Sequence, residues 1–144
     1  MDRSFEATNA ATLERLRAVV AAASDDDLRN EMPGGWTVAA VLGHLAFWDQ
    51  RALVILDQLD AGETPPPAND AETDLLNDIS KRFFLAMDPR ALAVLTVEIA
   101  EETNARLASL PDERIAEISE TWINPTRVRA DHLTEVEQAL RMPS

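Results

Sequence analysis

The sequence predicts an all-α protein: a four-helix bundle with short extra helical turns, in a single domain covering residues 1–144. Three observations predict it. Apolar residues recur at spacings of three and four along most of the chain, caps and Pro/Gly breaks separate those runs, and no β-hairpin signal, internal repeat or low-complexity tract interrupts the pattern. A chain of 144 residues can bury a core of its own without disulfide or metal staples.

The first helix is expected over residues 5–23, where Leu13, Leu16, Val20 and Ala23 form a stripe and Glu14, Arg15 and Arg17 lie off it. Ser24 followed by Asp25, Asp26 and Asp27 reads as an N-cap with acids in the first turn, hence a short helical turn. Met32-Pro33-Gly34-Gly35 then breaks the chain, and the two glycines can take backbone angles barred to other residues. Thr37 is placed to cap a long second helix reaching Asp60, with Val38, Val41, Leu42, Leu45, Trp48, Ala52, Ile55, Leu56 and Leu59 on a broad apolar arc. Gly62 ends it, and Pro65, Pro66 and Pro67 make a stiff crossover before a cap near Asn69 or Asp70.

Residues 70 to 87 resume the helical period through Leu75, Leu76, Ile79, Phe83 and Met87. Asp88-Pro89 then supplies a cap and a first-turn proline for a separate helix carrying Leu92, Leu95, Ile99, Leu107 and Leu110. Residues 112–124, with Ile115, Ile118 and Trp122, fit a short helix or a strand. The last helix is expected to open at Asn124-Pro125 and run through Leu133, Val136 and Leu140 to about Arg141.

Composition excludes several classes of function. Cysteine is absent, which removes disulfides, thiolate metal sites and cysteine nucleophiles. A formal charge of -13 repels nucleic acid phosphates and anionic membrane surfaces, so neither is an expected partner. The first residues show no basic region followed by an apolar core, and no uncharged apolar run suggests a membrane span, which makes a cytoplasmic protein the expectation. No serine sits at a glycine-flanked elbow, and the glycine pair lacks the Lys-Ser/Thr of a phosphate loop.

The two histidines are the candidate chemistry. His44 follows Ala40 and Val41 and precedes Trp48 on the second helix; His132 has Val128 and Val136 one turn to either side on the last. Both are expected to face inward, where two imidazoles from different helices can share a metal ion or simply hydrogen-bond within the core. Two donors do not fill a coordination sphere. Glu135, Asp49, Glu98 and Glu102 are the carboxylates placed to complete it, with a solvated surface acid as the alternative for each. Trp36, Trp48 and Trp122 can wall a small-molecule pocket or fill the core.

Pro33-Gly34-Gly35-Trp36-Thr37-Val38, Leu42-Gly43-His44-Leu45 and Trp48-Asp49 closely resemble the second-helix signature of the DinB-like superfamily, which includes the N-terminal domain of mycothiol-dependent maleylpyruvate isomerases. Asp131-His132-Leu133 and Glu135-Val136 are similar to the family's closing His-x-x-x-His-Leu segment, and the resemblance covers nearly the whole chain. It implies a four-helix bundle, often a homodimer, whose three histidines hold a divalent metal. His44 matches the first of these positions and His132 the last, but the middle one is Val128, which cannot ligate. Arg127 and Arg129 flank it and would repel a cation if they turned inward.

The functional expectation is therefore a metal-dependent, thiol-linked transferase or isomerase with a reduced site. Nickel, zinc or iron would activate a low-molecular-weight thiol such as mycothiol or bacillithiol, because a cation stabilises the thiolate nucleophile. His44, Trp48, Val128 and His132 are the expected pocket lining. The rival expectation is a non-catalytic small-molecule-binding or dimeric stress-response module that has lost the metal. A homodimer is expected to use exposed alanines of the first helix, Ala18, Ala21 and Ala22.

Overall fold

The computed structural model describes residues 2–67, 69–118 and 126–142. Its helices are α1 (Phe5–Ala22), α2 (Asp25–Leu28), α3 (Val38–Asp60), α4 (Asp70–Ala86), α5 (Pro89–Ala108), α6 (Asp112–Glu117) and α7 (Thr126–Ala139). Trp122 and the expected opening of the last helix at Asn124-Pro125 lie outside the described residues.

The caps explain where the helices begin. Ser24 and Asp27 close a reciprocal capping box on α2, and the side chains of Thr37, Asn69 and Asp88 accept backbone N–H groups at the starts of α3, α4 and α5. Pro89 occupies the first turn of α5, where its missing N–H costs nothing. The carbonyls that end α1 find a partner from another helix: Arg90 donates to the Val20 and Ala23 carbonyls at 3.0 and 2.6 Å and pairs with Asp25.

Helices α1, α5, α3 and α7 pack in a ring, each touching the next. This is the four-helix bundle, and its core gathers Leu16, Val19, Val38, Leu42, Leu45, Leu133 and Val136. Gly43 lets α3 and α5 approach closely, because a Cβ there would meet a Leu92 methyl at 2.8 Å. By length and hydropathy α3 is long and apolar enough to cross a membrane, but 67 % of that window is buried within the bundle, as befits its central helix.

Two details depart from expectation. Glu31–Met32 and Trp36–Thr37 form a miniature antiparallel ladder, with Glu31 opposite Thr37 and Met32 opposite Trp36. Gly34 and Gly35 turn between them at φ values of +80° and +77°, which no side chain there tolerates cheaply. Two-residue strands carry no legible alternation, so the sequence offered no hairpin signal. The second departure is α4, which packs on α3 outside the ring and leaves Leu75, Ile79 and Phe83 exposed. Its regular apolar period gives a helix, but the period does not say that a second layer covers it.

Candidate functional site

The Pro33–Gly35 turn and its ladder deliver Trp36 to the start of α3, and Thr37 Oγ1 accepts the Ala40 N–H at 3.1 Å to fix the helix there. Two turns further on, His44 faces α7. Its ring meets the His132 ring edge to face, with centroids 4.8 Å apart and planes 85° apart. Trp36 and Trp48 stand edge-on to His44 at 5.8 and 6.4 Å. The convergence of His44 and His132 expected from the sequence is thus present.

The two imidazoles differ in surroundings. His44 Nδ1 is shut away from solvent with no hydrogen-bond partner among the described residues, so Nε2 is the nitrogen left for a ligand. Burial, aided by repulsion from His132, pulls the His44 pKa from 6.5 to about 4 and keeps the ring neutral near pH 7. His132 is less enclosed, and its Nδ1 lies 3.2 Å from Glu135 Oε2. An ionised carboxylate only accepts, so Nδ1 is the donor in this contact and Nε2 is the nitrogen left to face a ligand.

Both rings line a cavity of about 790 Å³. Met32, Pro33, Trp36 and Val41 give it an apolar side, while Glu31, Asn77, Glu135 and Gln138 supply polar groups. That volume suits a small organic molecule. Trp48 and Val128, expected in the wall, do not line it. Trp48 stands behind Asn77 and donates its indole N–H to the Asn77 Oδ1 at 2.9 Å. Val128 is 39 % exposed, since α7 turns that position outward. Sequence reasoning missed Glu31, Asn77 and Gln138. Glu31 adjoins the Pro-Gly-Gly turn and was open to notice, whereas Asn77 enters only because α4 docks on α3.

The expected carboxylate ligands are also redistributed. Asp49 is buried and accepts from Arg129 Nη2 and Nε at 2.9 and 3.2 Å. Arg129 further donates to Asn104 Oδ1 at 2.8 Å and to the Asn9 and Ala100 carbonyls at 3.5 Å. Burial pushes the Asp49 carboxyl pKa up, against the opposing pull of Arg129. Arg129 does turn inward, but its charge is matched by Asp49, so it is a tie between α3 and α7 and not a bare cation beside the histidines. Glu98 and Glu102 face solvent on α5.

The metal implied by the resemblance would need donors converging on one point. Two imidazole Nε2 atoms are available, and the His132–Glu135 contact is of the kind that orients a ligating histidine. A third donor is lacking: among the described residues no group of three His, Cys, Asp or Glu side chains is placed to hold an ion. The residues described do not fit a centre with three protein ligands.

A helical bundle with a crossover helix on its flank and a facing histidine pair at a cavity defines the class of protein. A family model described as the DinB superfamily matches residues 8–142, and the chain belongs to that superfamily. No curated protein and no solved structure matches it significantly.

Proposed function

We propose that this DinB-superfamily member binds a small organic molecule in the 790 Å³ cavity, with His44 and His132 as hydrogen-bonding groups in place of a three-histidine metal centre. The observation that carries this reading is the neutral His44 facing a carboxylate-oriented His132 at 4.8 Å, with Val128 where the family's third imidazole would stand. The His44 ring and the His132 ring oriented by Glu135 both offer hydrogen-bonding nitrogens to a ligand. The competing reading is the metal-dependent, thiol-linked transferase. The approach of the two rings to 4.8 Å favours it, and the lack of a third donor among the described residues counts against it.

Elemental analysis by X-ray fluorescence, on tag-free protein supplied with zinc or nickel, separates the two. The wild type is expected to retain far less than one metal per chain. Stoichiometric metal in the wild type that disappears in His44→Ala would overturn the binding-module reading in favour of the metal enzyme.

A further inference from the structure

The chemistry of the cavity wall selects among small molecules. Glu31 and Glu135 both contribute to it, and among the described residues no lysine or arginine does. The His44 and His132 rings face each other in the same wall, 4.8 Å apart. Trp36 adds an aromatic surface beside the histidines. The geometry points to an organic cation as the ligand: an ammonium group carried on an apolar body, with the charge beside the Glu31 and Glu135 carboxylates of the wall and the body against Trp36 and Met32.

This inference rests on the reading of the cavity as a small-molecule site and names the class of its ligand. An anionic ligand would meet two carboxylates with no compensating cation among the described lining residues, which disfavours it by repulsion. A cation meets acceptors and an aromatic ring. Lys81 lies over the Trp36 ring, its Nζ 5.5 Å from the centroid, and donates to the Gly34 carbonyl; Arg51 lies over the Trp48 ring at 5.5 Å. At longer range, the net charge of -13 raises the local concentration of cations.

Benzylamine, benzyl alcohol and benzoate share a ring and differ in charge, which makes them the probes. Their binding is followed by calorimetry and by the imidazole nitrogen resonances of His44 and His132. Benzylamine is expected to bind more tightly than the other two and to weaken as salt is added. Glu31→Gln is expected to reduce its affinity roughly fivefold, the effect of one partly exposed charge pair, with little change for benzyl alcohol. Glu135→Gln is expected to do the same and also to alter the His132 resonances. Equal or tighter binding of benzyl alcohol or benzoate overturns the cation assignment and leaves the small-molecule site standing. If none of the three perturbs either histidine at millimolar concentration, the assignment and the reading beneath it both fall.

Discussion

The Asp49–Arg129 pair ties α3 to α7 next to the histidines, and Asp49→Asn tests what that tie is worth. Both residues are about 1 % exposed, so neither charge is solvated by water in the fold. Asparagine keeps the shape of the side chain but leaves the guanidinium uncompensated. Removing one partner of a buried pair costs about 3–5 kcal/mol, mostly the penalty of stranding the other charge. Against a total stability of about 5–15 kcal/mol, that loss is a large share of what keeps the domain folded. With a urea slope of about 1–3 kcal/mol per molar, the unfolding midpoint should drop by roughly 2 M. The double variant Asp49→Leu/Arg129→Met removes both charges and should recover at least half of the loss; the remainder reflects Asn104 and the Asn9 and Ala100 carbonyls, which lose their donor. Asp57→Asn breaks an exposed pair with Arg106 and should shift the midpoint far less. Because Arg129 lies three residues before His132 and Asp49 five after His44, the Asp49→Asn variant should also move the His44 and His132 resonances. An unfolding free energy within about 1 kcal/mol of the wild type would refute the argument, since it would mean that water reaches the pair.

The pH dependence of stability should carry a contribution from His44. Its folded pKa of about 4 lies below the ordinary 6.5, so between those values the unfolded chain takes up a proton that the folded one refuses. The contribution is present in full above pH 6.5 and is lost as pH falls toward 4. Discounted for the partial exposure of the ring, it amounts to roughly 2 kcal/mol. Urea unfolding of wild type and His44→Gln at pH 7.5 and 4.5 isolates it from the many carboxylates, and parallel behaviour of the two proteins would sink the assignment. Self-association is expected to use α4, where Phe83 is 66 % exposed beside Leu75 and Ile79. Light scattering should show a dimer that Phe83→Asp dissociates, and a monomeric wild type at high concentration would count against it.

The bundle was legible in the sequence because its signals are local. Ser24, Thr37, Asn69 and Asp88 cap helices through hydrogen bonds that span three residues, and Gly34-Gly35 turns where only glycine turns easily. The inward placement of His44 and His132 followed from their spacing to apolar neighbours, and the family resemblance brought them together. Tertiary structure decided the rest. Asp49 reads in sequence as one more carboxylate near a histidine; only the docking of α3 against α7 makes it the partner of Arg129. Val128 shares a helix with His132 at a spacing that suggests a common face, yet the packing of α7 leaves it exposed. Likewise α4 carries an apolar period that predicts burial, and the bundle closes without it. Helix caps and periodicity are set by neighbours along the chain, so the sequence by itself determined the helices and the His44–Trp48 signature. Which carboxylate meets which cation, and whether a wall is acceptor or donor, depends on groups far apart in the chain, and only their packing settles it.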